Sequence, residues 1–149
     1  MITYSNEDIF SLKNVKALVN PVNCIGVMGK GLALQFKERY KDNFTAYRKA
    51  CKERTVKLGK MFIFETGLDY PQYIVNFPTK WHWKDKSVFS DIECGLIALS
   101  YWVSGNKIPS IAIPKIGCGL GGLYWEDVKP LIEKYLGDIP NLDVKVLSL

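Results

Sequence analysis

The chain has one histidine, His82, among 149 residues. Its four cysteines, Cys24, Cys51, Cys94 and Cys118, stand far apart with no CxxC pair. Metal centres draw on these residue types at short spacings, so the composition argues against a metal site. No apolar run approaches the roughly 20 residues that cross a bilayer. The opening stretch MITYSNEDIF carries acids and lacks the apolar segment of a secretion signal. The expectation is a cytoplasmic protein with reduced thiols, no membrane association and no cofactor. Cys51 and Cys94 are expected to be small buried hydrophobes. Internal repeats, low-complexity tracts and an interdomain linker are also missing. So is one familiar phosphate signature, GxxxxGK[ST].

What remains is ordinary in bulk and uneven in detail. Hydrophobic residues make up 48% and charged residues 23%, as in a soluble globular fold. A length of 149 residues suits one sizeable core, so residues 1–149 are expected to form a single domain. The net charge of +5 is concentrated between residues 30 and 60. Ten Lys or Arg there face only Glu38, Asp42 and Glu53, a local charge of +7. Two readings stand: a surface that draws in a polyanion, or a solvated helical face.

Short apolar runs bounded by turn residues mark buried strands: VKALVNPV, KMFIFET, QYIVNFPT and SIAIPKI, with DVKVLSL closing the chain. GLDYP between the second and third suits a turn. Helical spacing appears in Ala33, Phe36 and Tyr40, and again from about Phe44 to Arg54. Ile92, Leu96, Leu99 and Val103 line a third helix, for which Ser90 and Glu93 fit a capping box and Ser87 is another candidate cap. Val128, Leu131, Ile132, Tyr135 and Leu136 line a fourth, entered through Glu126 and Asp127. Strands alternating with helices predict an α/β fold with a mostly parallel sheet covered on both faces.

Ligands of such sheets bind beyond the carboxyl ends of the strands. Two loops leave strands there and enter helices: NPVNCIGVMGKGLA and GCGLGGLYW, the second with four glycines in six positions. Backbone amides near a helix start hold phosphate without many charged side chains. Two such loops in one small domain suit a diphosphate gripped from both sides.

The segments ALVNPVNCIGVMGKGLALQFKERY, YIVNFPTKWHW and IAIPKIGCGLGGLYWEDV together resemble a macrodomain, the ADP-ribose-binding module. More narrowly they resemble the DarG type, the antitoxin macrodomain that removes ADP-ribose from DNA. The human terminal ADP-ribose glycohydrolase is a more distant relative. The resemblance runs in order along essentially the whole chain. It implies a three-layer α/β/α fold with a mixed, mostly parallel central sheet. It also implies an adenine contact at Asp8, with the backbone amide of Ile9 beside it. Asn20, Asn23, Val27, Met28, Gly29 and Gly31 would flank the distal ribose and a phosphate. Gly117, Cys118, Gly119, Leu120, Gly121, Gly122 and Leu123 would wrap the diphosphate, and a Cβ at Gly119 or Gly121 would push the ligand away.

The same resemblance puts Lys80 at the anomeric carbon of the distal ribose, as a nucleophile forming a covalent ribosyl–lysine. A lysine attacks only as the free amine, which burial or cationic neighbours favour. Lys84, Lys86 and His82 are close enough in sequence to supply like charge. Without the resemblance, Lys80 reads rather as an exposed loop lysine or a phosphate contact than as a nucleophile. One departure stands out: the human glycohydrolase has an aspartate where this chain has Gly121, which leaves the proton transfers unassigned. The DarG type has glycine there, which favours DNA over protein as substrate. His82 is a candidate acid or base, or a structural residue between two tryptophans.

Trp81 and Trp83 interleave with lysines in TKWHWKDK, a pattern that suits stacking on bases of single-stranded nucleic acid. In extended backbone the two would share one face; the alternative places them in the core. Thr79 and Trp125 complete the candidates near the ribose, Trp125 either sheltering it or sealing the core. Three functions follow from the resemblance. The first is a glycohydrolase releasing ADP-ribose from a DNA base, thymidine for preference, a repair reaction. The second is an ADP-ribose reader without turnover, with hydrolysis of protein-linked or O-acetylated ADP-ribose as a related enzymatic reading. The third is an antitoxin that blocks a DNA ADP-ribosyltransferase by contact. The extension that follows the macrodomain in DarG antitoxins has no counterpart here, which weighs against the third. The expected ligands are ADP-ribose and ADP-ribosylated DNA, bound by a monomer.

Overall fold

The computed structural model describes residues 1–148. Six strands, β1 (Ile2–Ser5), β2 (Ala17–Val22), β3 (Phe62–Glu65), β4 (Tyr73–Pro78), β5 (Ser110–Pro114) and β6 (Asp143–Leu147), form one sheet in the order β1-β6-β5-β2-β4-β3. Every neighbouring pair is parallel except β3 with β4. Four helices connect them: α1 (Gly31–Arg39), α2 (Lys41–Lys52), α3 (Phe89–Gly105) and α4 (Trp125–Leu136). Short 3-10 turns cover Ile9–Ser11 and Gly119–Gly121. Among the described residues no helix is long and apolar enough to cross a membrane.

Strand periodicity sorts the side chains into two cores. Ala17 and Val19 of β2, Val75 and Phe77 of β4, and Ile111 and Ile113 of β5 pack against α3 and α4. Their neighbours Leu18, Ile74 and Ala112 point to the other face, where Phe36 of α1 and Ile9 meet them. Tyr47 and Ala50 of α2 cover Val22, Cys24 and Met28 on that side. The result is the expected α/β three-layer arrangement.

The first strand has no recognisable pattern because it lies at the sheet edge, paired only with β6, and both its central residues are exposed. The helix around Phe44 starts earlier than its apolar spacing suggests, at Lys41, with Tyr40 alone between it and α1. The capping box at α3 does not form: Val88 is the cap residue and no side chain caps the helix. Glu93 instead accepts a hydrogen bond from the Tyr135 hydroxyl at 2.7 Å, tying α3 to α4. The expectation for two cysteines is also corrected. Cys94 is exposed, on the side of α3 away from buried Ile92, Leu96 and Leu99, and Cys51 is half-buried.

Strand order fixes where a ligand can sit. From β2 the chain proceeds through β3 to β4 on one side, and from β5 to β6 on the other. The loops leaving these two adjacent strands therefore diverge and open a crevice at their carboxyl ends.

Candidate active site

The crevice has a volume of about 400 Å³ and is lined by three loops. They follow β2 (residues 23–30), β4 (residues 79–88) and β5 (residues 115–124). Lys30, Lys80 and Lys115 line it, and no Asp or Glu does. Such a surface calls for an anion.

The first loop is shaped by Asn23. Its Nδ2 donates to the Val27 carbonyl at 2.8 Å, and its Oδ1 accepts from the amides of Ile25 (3.1 Å) and Val27 (3.3 Å). Beyond it, α1 begins without any side-chain cap. The Leu34 amide reaches Lys30, so those of Gly31, Leu32 and Ala33, in the first turn, have no helical acceptor. All three residues line the crevice. Gly31 has φ +57°, a conformation that favours glycine. An open helix start of this kind presents unpaired donors and a positive dipole end, which suit an anion.

The glycine-rich loop after β5 spends more of its amides on itself than its sequence suggests. Cys118 donates to Lys115, Gly121 to Cys118, Gly122 to Gly119 and Leu123 to Gly117. Among the described residues, the amides of Gly117, Gly119 and Leu120 reach no backbone acceptor outside regular elements. Gly117 (φ +75°) has a packing reason as well, since a Cβ there would lie 2.9 Å from Leu123 Cδ1 and 3.0 Å from Ile92 Cγ1. At Gly121 a Cβ would meet Ser87 Oγ at 2.7 Å, so a neighbouring side chain is the first obstacle there. At Gly119 (φ +62°) the space is open, and the constraint is the backbone angle.

Lys80 stands where β4 ends, half-buried in the crevice wall beside Thr79, whose amide donates to the Val22 carbonyl at 2.8 Å. Burial lowers the Lys80 ammonium below its ordinary range; the Lys86 charge adds to this and Asp85 opposes it. Of the expected cationic neighbours, Lys86 is the one that acts. Lys84 lies 5.1 Å over the Trp83 ring. His82 Nδ1 accepts from the Lys84 amide at 3.1 Å, and the His82 amide donates to Asp85 Oδ2 at 3.0 Å. This turn replaces the extended backbone expected for Trp81 and Trp83. Neither is in the core: Trp81 is 51% exposed and Trp83 45%. Trp83 lines the crevice and Trp81 does not, although the Trp81 carbonyl accepts from Cys24 at 2.9 Å and so joins two loops.

The thiols compete poorly with the lysine. Burial pushes Cys24 up to about 12 and raises Cys118, so both stay protonated. Among the described residues no cluster of His, Cys, Asp or Glu is arranged to hold a metal ion.

Asn23, Val27, Gly29, Gly31, Thr79, Lys80, Trp83, Gly117, Cys118, Leu120 and Gly121 come together in the crevice. Asp8, Ile9, Asn20, Met28, Gly119, Gly122, Leu123, Trp81, His82 and Trp125 are not among its lining residues. Asp8 caps the turn at Ile9–Ser11, accepting from Phe10 at 2.9 Å. The Asn20 side chain is buried, donating to Asn76 Oδ1 at 3.1 Å, with Met28 packed above it 3.8 Å away. Trp125 packs against the main core, with Lys115 Nζ 5.0 Å over its ring. Sequence reasoning missed Lys30, Lys115 and, as a crevice residue, Ser87. The two lysines adjoin the glycine loops and were open to notice; Ser87 is brought in only by the fold.

The Macro domain family matches residues 19–132. A DNA ADP-ribosyl glycohydrolase of Mycobacterium tuberculosis is 49% identical over 147 residues, covering 98% of this chain and 42% of that protein. The structure of the macrodomain of Mycobacterium tuberculosis DarG superposes with a TM-score of 0.96 at 48% identity, covering 100% of this chain and 98% of that one. Thermosipho africanus DarTG in complex with ADP-ribose gives 0.89 at 33% identity, covering 99% of this chain and 42% of that one. The chain thus spans about two-fifths of the length of the mycobacterial relative. On fold and sequence alike, it belongs to the Macro domain family.

Proposed function

We propose that this chain is an ADP-ribosyl glycohydrolase that releases ADP-ribose from a DNA base, thymidine for preference. Residues 1–149 form the single macrodomain that does so. Lys80 in the wall of a crevice lined by no Asp or Glu carries the proposal, because it pairs an amine of lowered basicity with a surface suited to an anion. The identity to a DNA ADP-ribosyl glycohydrolase supports the choice of substrate.

In this reading the diphosphate takes the open amides at the start of α1 and in the glycine loop, which leaves the distal ribose beside Lys80. Free-amine Nζ attacks the anomeric carbon as the bond to the base nitrogen breaks, and the departing base takes up a proton. The ribosyl–lysine then adds water at the same carbon, which frees ADP-ribose and restores the amine. Trp83 at the mouth offers a face for the modified base or its neighbour. The basic segment from residue 30 to 60 holds flanking phosphates. A DNA ADP-ribosyltransferase is the partner whose product this reaction reverses, and the cytoplasm is the compartment. A monomer is the working unit in this reading.

The test is to incubate the protein with ADP-ribosylated single-stranded DNA and ADP-ribosylated protein side by side. Release from DNA, with little from protein, is the expected result. Release from protein alone contradicts the substrate, and release from neither contradicts the activity.

A further inference from the structure

Ser87 is buried, at 6% exposure, yet its hydroxyl has no hydrogen-bond partner among the described residues. Buried hydroxyls are almost always paired, because an unmade hydrogen bond costs free energy on folding. The residue lines the crevice on the same wall as Lys80 and Trp83. Its backbone is held firmly, the amide donating to the Gly121 carbonyl at 2.8 Å. Its side chain is not held. With nothing bonded to Oγ, rotation about Cα–Cβ between staggered positions is unopposed by any hydrogen bond, and the crevice is the open side.

We infer that Ser87 is a ligand-contacting residue whose hydroxyl turns onto the distal ribose and holds it against Lys80. This rests on the reading given under Proposed function. Three features favour the ribose over the diphosphate. The open amides of α1 and of the glycine loop already supply the donors an anion needs. A serine hydroxyl both donates and accepts, as a sugar hydroxyl does, and Ser87 belongs to the loop that carries Lys80. The assignment also accounts for glycine at position 121, where a Cβ would stand 2.7 Å from Ser87 Oγ and crowd the hydroxyl.

Calorimetric titration of the parent and Ser87→Ala with ADP-ribose and with ADP, which lacks the distal ribose, tests this. We expect ADP-ribose to bind about three- to tenfold more weakly to the variant and ADP to bind unchanged. The melting temperature should be unchanged or higher, since the substitution removes an unpaired buried hydroxyl. Ser87→Cys, which keeps most of the volume and weakens the donor, should move ADP-ribose in the same direction and gives the answer should the alanine variant fail to fold. Equal ADP-ribose affinity in parent and variant overturns the assignment, and so does an equal loss on both ligands, which marks a phosphate contact. If the parent binds ADP but not ADP-ribose, or neither, the functional reading itself fails and the assignment with it.

Discussion

The hydroxyl of Tyr47 on α2 stands 2.8 Å from the Asn23 carbonyl and 2.9 Å from its Oδ1. Tyr47 is fully buried, so a helix on one face of the sheet anchors the first crevice loop from below. Tyr47→Phe should lower stability by about 1 kcal/mol in denaturant titration. The loosened loop should also weaken ADP-ribose binding. Unaltered affinity alongside reduced stability would show that the anchor does not reach the ligand.

Gly117 and Gly29 should respond differently to alanine. At Gly117 the new Cβ meets Leu123 and Ile92 at close range and the backbone is left-handed, so a loss of about 2 kcal/mol or more is expected. At Gly29 the only near neighbour among the described residues is Val27 Cγ1 at 3.5 Å, an ordinary contact. Thermal denaturation of the two variants should rank Gly117→Ala well below Gly29→Ala.

Lys80 and Lys86 give a pH dependence with a definite sign. The nucleophile is the free amine, so turnover should rise with pH through the lowered Lys80 transition and level off above it. Lys86→Gln removes the neighbouring like charge, though not the burial that contributes most. The rising limb should therefore move to higher pH by a modest amount. A shift to lower pH would contradict the electrostatic assignment.

Trp83→Ala should reduce turnover of ADP-ribosylated single-stranded DNA by about tenfold, with a smaller effect on free ADP-ribose. Trp81→Ala should act in the same direction. Equal losses on both ligands would remove the base-stacking role.

How far the sequence led depended on the range of the interaction involved. Five strands, and helices facing opposite sides of the sheet, follow from the periodicity of residues such as Ala17, Leu18 and Val19, since alternation is a local property. The edge strand Ile2–Ser5 carries no alternation because it has little to bury. Cys94 was misjudged because its type favours burial while its helical phase faces outward. The crevice itself was visible as two glycine loops and a lysine. Its hydrogen bonds were not: the glycine loop spends four amides internally, and α1 starts with its amides open. Ser87 was legible only as a possible helix cap. Its burial beside Gly121 depends on residues 34 positions apart in sequence.

The central claim is that Lys80 is the nucleophile. Its most direct test is Lys80→Ala, assayed for release of ADP-ribose from modified DNA and, separately, for affinity toward free ADP-ribose. Release should disappear while affinity changes little. Undiminished release by the variant would contradict the mechanism.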